Sequence, residues 1–249
     1  MFAFSIEKWQ AWAPGLQDEN SWREWALAPF CPYPTAGAGA LPGTSFLPPM
    51  QRRRLSPLAR MVFDCAWPLA EGEAPMPMVF ASRHGETTRS FQLLQDLAAG
   101  EPLSPTAFGL SVHNAILGQW SIIRKETCEG VALAGDTDTL EHAIQEACLL
   151  MHAGAPQVLV VAAEERPPRD YQPWIDDVPF SYAVALRLGA APQWRLALGA
   201  ASAPAATAAA PDWPHPLNLL CHLLRGTPAW SHRAPARHWH WSRPSALAS

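Results

Sequence analysis

No stretch of this sequence approaches the ~20 consecutive apolar residues that a helix needs to cross a bilayer. The N-terminal segment MFAFSIEKWQAW has no basic region leading into a long apolar run. Neither a membrane span nor a leader is expected, and a cytoplasmic protein is. Charge is scarce as well: 16% of residues are charged and the formal net charge is -4. No general basic field exists to attract nucleic acid. So little charge leaves much weakly polar surface, which favours a protein partner. The five cysteines, at 31, 65, 128, 148 and 221, are odd in number and never at CxxC spacing. That argues against a disulfide framework and a zinc knuckle, and it points to a reducing compartment. No internal repeat is found, and neither cofactor nor metal is expected.

What is present suits one domain, or one domain with an appendage, in 249 residues that are 49% hydrophobic. The segment FAFSIEKW alternates like a strand and APGL (13–16) ends it. Residues 28–50, rich in Pro, Gly and Ala, predict a long loop. Helical spacing of Leu55, Leu58, Met61, Val62 and Cys65 follows, and Ser56-Pro57 marks the start, because proline suits a first turn. The arginines Arg52 to Arg54 before it are either a solvated collar or a phosphate-contacting patch.

Strands are predicted at 77–82 and 130–135, with helices over 87–100 and from about 104 to 118. The clearest helix is DTDTLEHAIQEACLLMHAG. Asp138 and Glu141 have capping-box spacing, Leu140, Ile144, Ala147 and Met151 form one stripe, and Gly154 stops it. PQVLVVAAEE is a continuous apolar run, the mark of a strand buried on both faces. PFSYAVALRLG and WRLALGA predict two more strands. Strands alternating with helices, then consecutive strands, give a layered α/β fold with a mixed sheet. An Ala/Pro linker over 201–214 would separate a domain of residues 1–200 from a tail, 201–249, holding a short amphipathic helix and ARHWHWSR. His238 and His240 would share one strand face opposite Trp239. EERPPRDY is read as a polar loop without specific chemistry.

Two resemblances compete. Arg83-His84-Gly85-Glu86-Thr87 is similar to the signature of the histidine phosphatases, in which the histidine accepts a phosphoryl group. That chemistry needs a second histidine and an arginine cluster, and the best later strand ends in Glu164-Glu165 without one. The alternative is a strand-to-helix loop in which Gly85 permits the turn.

The segments SPTAFGLSVHNAILGQWSI, VALAGDTDTLEHAIQEACLLMHAG and PQVLVVAAEE resemble the N-terminal half of a β-ketoacyl synthase. Asn114, Gly118, Ser121 and Val158 to Glu164 carry the match, with FSYAVALRL and SIEKWQAWAPG as weaker parts. The match is best to short ketosynthase-like, chain-length-factor-like proteins of aryl-polyene and type II polyketide clusters. The resemblance implies a thiolase-like fold, half of a ketosynthase. It also implies a nucleophile where a strand meets the buried helix. Here that position falls on Asp136 or Thr137. A carboxylate at a helix start is a poor acyl acceptor, and a threonine would need a base beside it. No His-Gly-Thr-Gly or Gly-Phe-Gly-Gly motif occurs.

The resemblance therefore implies a non-catalytic subunit of fatty acid or polyketide (aryl polyene) biosynthesis. Its implied partners are a complete ketosynthase, an acyl carrier protein or a second copy of itself. The vestigial elbow is Asp136 and Thr137, with His113 and Asn114 on the helix facing it as binding residues. The alternatives are phosphoryl transfer through His84, or a Thr- or His-dependent acyltransferase. Either the tail or a second chain is expected to cover the apolar face of the helix 139–153.

Overall fold

The run 158–163 is apolar throughout because both of its faces are buried, each in a different core. In a computed structural model, which describes residues 1–32, 41–199 and 213–244, it is the middle of the strand β4 (Gln157–Glu164), numbered here in chain order. Val158, Val160 and Ala162 face one core, and Leu159, Val161 and Ala163 face the other. Period-two alternation thus sorts every second side chain to each layer.

Before β4 come β1 (Phe2–Trp12), α1 (Glu19–Leu27), α2 (Pro49–Arg52), α3 (Pro57–Ala70), β2 (Met78–Ala81), α4 (Thr87–Ala98), α5 (Pro105–Gly109), α6 (Ala115–Arg124), β3 (Gly130–Leu133) and α7 (Thr139–His152). After it come β5 (Tyr182–Gly199), α8 (His215–Arg225), β6 (Ala229–Ala234) and β7 (Arg237–Ser242). The sheet runs β3-β2-β4-β5-β7-β6, with β1 also paired to β5. The pairs β2–β3 and β2–β4 are parallel; the pairs to β5 and the β6–β7 hairpin are antiparallel. The mixed, layered α/β architecture is that expected. Helix α3 and Trp120 of α6 cover one face, and α7, α1 and α8 cover the other.

Local rules explain several elements. Ser56 caps α3 by accepting from the Ala59 amide at 3.0 Å, with Pro57 in the first turn. Helix α1, not anticipated from the sequence, opens on a capping box between Asp18 and Ser21.

Three expectations need correction. The two predicted strands after 179 are one strand, β5. Pro192 is tolerated because residues 190–193 lie between the register paired to β4 (182–189) and that paired to β7 (195–199). The helix predicted from 104 to 118 is broken into α5 and α6, with His113 in the connection rather than mid-helix. The Asp138–Glu141 capping box does not form: Asp138 makes no side-chain cap bond, because both carboxylates are engaged by the tail.

Of the long loop predicted over 28–50, residues 33–40 lie outside the described residues, as does most of the 201–214 linker, and with it the division at 200. Residues 213–244 fold onto the sheet. Trp239 and Trp241 of β7 are 0% and 1% exposed, within the α7 core. No helix among the described residues is long and apolar enough to cross a membrane.

Candidate elbow site and tail clasp

The turn from β3 into α7 is held by its own hydroxyl. Thr139 Oγ1 donates to the Asp136 carbonyl at 2.8 Å and accepts from the Gly135 amide at 3.0 Å. This does the work of a cap and fixes Asp136 and Thr137 at the mouth of a cavity of about 290 Å³. Arg83, Glu164, Asp177, Tyr182 and His215 are also in its lining. His113 and Asn114 are not. His113 Nε2 bonds the Ser82 carbonyl at 2.7 Å and its ring lies beneath the 82–86 loop. Asn114 lines a second cavity of about 280 Å³ beside Gly118 and Gly130.

Asp136 is held in an ion pair. Arg83 Nη2 pairs with its carboxylate at 2.9 Å, while Arg83 Nη1 pairs with Asp177, also at 2.9 Å. His84 Nε2 bonds the second oxygen of Asp177 at 2.9 Å. Burial by itself would lower the His84 pKa. The bond to Asp177 and the charges of Glu164 and Asp177 outweigh burial and raise it. Burial raises the Asp177 pKa, but the bond to His84 together with the charges of His84 and Arg83 and the Arg83 bond outweighs it and holds that carboxyl below its ordinary value.

Glu164 ends β4 just behind this group. Its carboxylate accepts from the Ser82 hydroxyl at 3.0 Å, from the His84 amide at 3.3 Å and from the Arg83 amide. Burial dominates these bonds and pushes its pKa up to about 7. Glu165 is pushed up to about 7 by burial as well. Neither glutamate belongs to a solvated polar loop, as the sequence suggested. The RHGET segment is the strand-to-helix loop, with Gly85 at φ +56°. A Cβ there would lie 2.9 Å from the His113 ring. Carboxylates already occupy the Arg83 guanidinium and surround His84, so an incoming phosphoryl group would meet like charge.

On the other side of the elbow the tail grips α7. Asp138, 0% exposed, accepts from Arg237 Nη2 and Trp239 Nε1, each at 2.9 Å. Glu141, also 0% exposed, accepts from His215 Nδ1 at 2.8 Å, from Trp241 Nε1 at 3.2 Å and from His232 Nδ1. These donors outweigh burial and depress both carboxyls, Glu141 strongly.

Among the described residues, Glu141, His215 and His232 are the group whose ligand atoms converge, all within 4.8 Å. Their separations are those of N–H···O bonds. His215 also faces the Arg233 carbonyl at 3.2 Å through Nε2. An oxygen acceptor thus faces each nitrogen of the His215 ring. His238 and His240 do share a face of β7, with ring centroids 4.3 Å apart.

No cysteine lies at the elbow. Cys128 is exposed ahead of β3, and Cys148 sits in the third turn of α7, its thiol pushed up to about 11 by burial. Thr137 Oγ1 is buried and has no hydrogen-bond partner among the described residues, so no base activates it.

The sequence reading missed Asp177 and the α7–tail contacts. Asp177 is 94 residues from Arg83, and only the fold brings them together.

A family model described as the β-ketoacyl synthase N-terminal domain matches residues 22–242. A search of curated proteins returns no match. Among solved structures, the chain is similar to one from the ketosynthase (ApeO) in complex with its chain length factor (ApeC) from Xenorhabdus doucetiae. That similarity is 31% identity and a TM-score of 0.85, over 98% of this chain and 100% of that one. The ishigamide ketosynthase/chain length factor superposes with a TM-score of 0.63 at 16% identity, over 80% of this chain and 67% of that chain. A β-ketoacyl synthase from Burkholderia phymatum STM815 gives 0.56 at 14% identity, over 80% and 65%. The fold is thus the thiolase-like ketosynthase fold.

Proposed function

Because this chain belongs to the β-ketoacyl synthase N-terminal domain family, we propose that it is a non-catalytic, chain-length-factor-like subunit. It would assist a genuine ketosynthase in building carrier-bound polyketide or fatty acyl chains, of the aryl-polyene kind. One observation carries the reading. The elbow that would hold a nucleophilic thiol holds Asp136, paired to Arg83 at 2.9 Å. A helix N-terminus lowers a thiol's pKa and its amides receive a thioester oxygen. A carboxylate tied to a guanidinium uses neither property.

Two surface features support a partner. Leu94, Leu97, Leu103, Phe108 and Val112, between α4 and α6, are 41–62% exposed and form no part of either core. Strand β3 pairs on one side only and ends the sheet, an open edge of the kind that natural proteins cover. The first similar structure is itself a ketosynthase with its chain length factor.

Co-expression with a complete ketosynthase tests the reading directly, and a stable complex is expected on affinity capture. Intact mass after exposure to acyl-carrier thioesters is expected to show no adduct. An acyl adduct on Thr137 or on any cysteine would overturn the non-catalytic assignment.

A further inference from the structure

Glu141, His215 and His232 reach one point from three elements of the fold. Glu141 stands in the first turn of α7, His215 opens α8 and His232 lies in β6. These residues are 0%, 4% and 3% exposed. The two imidazole rings stack 4.3 Å apart, 22° from parallel. Each turns its Nδ1 to a different oxygen of the same carboxylate.

The His215 ring shows what must lie at that point. Its Nε2 faces the Arg233 carbonyl at 3.2 Å, and a carbonyl only accepts, so Nε2 carries a proton. In the neutral ring the Nδ1 lone pair then faces a Glu141 oxygen at 2.8 Å. Two lone pairs at that separation repel unless a cation stands between them, and that cation is either a second proton or a metal ion. A metal ion meets the condition with neutral rings, so that no imidazolium is stacked on its neighbour.

We infer that Glu141, His215 and His232 form a binding site for one divalent ion of the zinc type. The donors choose the ion. Two imidazoles and a carboxylate suit zinc and its neighbours, whereas magnesium and calcium take oxygen ligands. Zinc binds nitrogen and carboxylate oxygen at about 2.0–2.2 Å, which sets tetrahedral ligand atoms about 3.3 Å apart. Seating the ion therefore opens the 2.8 Å separation by about 0.5 Å, and the ion replaces the protons that bridge the metal-free clasp. Outer partners are already in place. The Arg233 carbonyl orients His215 from behind, and the Trp241 indole N–H holds Glu141 at 3.2 Å. Such partners fix the direction of metal ligands. The rings of Trp230 and Trp241 stack on each other and flank His232 on the apolar side. His215 also lines the elbow cavity, the route by which an ion and a water ligand enter. The ligands are 74 and 91 residues apart along the chain, so no metal-binding spacing is visible in the sequence. For the same reason the unfolded chain has no assembled site, and the ion stabilises the fold by clipping α7 to the tail.

The test is metal analysis of the full chain, expressed in zinc-supplemented medium and purified without a polyhistidine tag. One equivalent of zinc is expected after dialysis. A chelator should lower Tm by about 5 °C or more. The cobalt-substituted chain should absorb in the visible without a thiolate charge-transfer band. His232→Asn keeps an amide that can bond Glu141 but removes the ligand nitrogen, and it should weaken zinc binding more than about a hundredfold. His238→Ala/His240→Ala, which removes the other histidine pair, should retain one equivalent. A wild-type chain that holds no zinc, or a His232→Asn chain that holds as much as wild type, would overturn the site. So would loss of the ion with His238 and His240. Where His232→Asn does not fold, the wild-type stoichiometry and the cobalt spectrum decide, and a thiolate band would place the ion on cysteine instead. The outcome does not bear on the subunit reading.

Discussion

Two pairs of carboxylates, all buried but the half-buried Glu165, behave in opposite ways. Asp138 and Glu141, at the start of α7, sit below their ordinary pKa values. Glu164 and Glu165, at the end of β4, are pushed up to about 7. Burial raises the pKa in all four cases, so burial alone does not distinguish them. Arg237, His215, His232 and two indoles converge on the first pair, whereas Glu164 receives two backbone amides and a hydroxyl. Cationic donors from the tail decide the sign. The first pair therefore fastens the tail to the elbow helix, and the second is shifted toward its protonated form near neutral pH behind Arg83 and His84.

The sharpest way to break this contrast is Glu141→Ala. It would leave two buried imidazoles and an indole facing an empty carboxylate position, at a cost of about 3–5 kcal/mol. Urea unfolding should show that loss. The wild type should lose the Glu141 contribution only in acid. The group's folded pKa is depressed, so its stabilisation is present above the unfolded carboxyl range, about 4.3, and disappears as pH falls below it.

The opposite pair gives the next largest effect, with the opposite sign. Glu164 has a raised folded pKa, so its contribution is most favourable below about 4.5 and is lost as pH rises toward 7. The difference amounts to about 3 kcal/mol. Whatever its absolute stability, Glu164→Gln should flatten that slope in unfolding curves taken from pH 4.5 to 8.

A smaller effect, about 1–3 kcal/mol, is expected from Gly85→Ala, which combines φ +56° with a 2.9 Å approach to His113. The double variant Gly85→Ala/His113→Ala should recover part of that loss, read as non-additivity in Tm. Smallest of all is Asp136→Asn. Its pair with Arg83 is more than a third exposed on both sides, so the change should stay below about 1 kcal/mol.

The legibility of each region follows from how local its causes are. The run 157–164 announced a doubly buried strand because alternation between two cores leaves no polar position between Gln157 and Glu164. Ser56-Pro57 announced a helix start because a cap acts over three residues. The resemblance placed the elbow at Asp136 or Thr137, but nothing adjacent indicated that Asp136 would be tied to Arg83 or that Asp177 would complete the group. Asp138 and Glu141 were misread as a capping box for the same reason. Their spacing fits a cap, yet they are bonded to residues 74 to 101 positions away.

By itself, the order of apolar runs, caps and turns determined a layered α/β chain with a strand-to-helix elbow that carries no sulfur. These signals act between near neighbours, within a turn of helix or along a single strand. Only the tertiary structure decided the protonation of the carboxylates, the seating of the tail against α7 and the convergence of His215 and His232 on Glu141. Those outcomes depend on desolvation and on charges brought together across the fold, and neither is encoded in the spacing of residues along the chain.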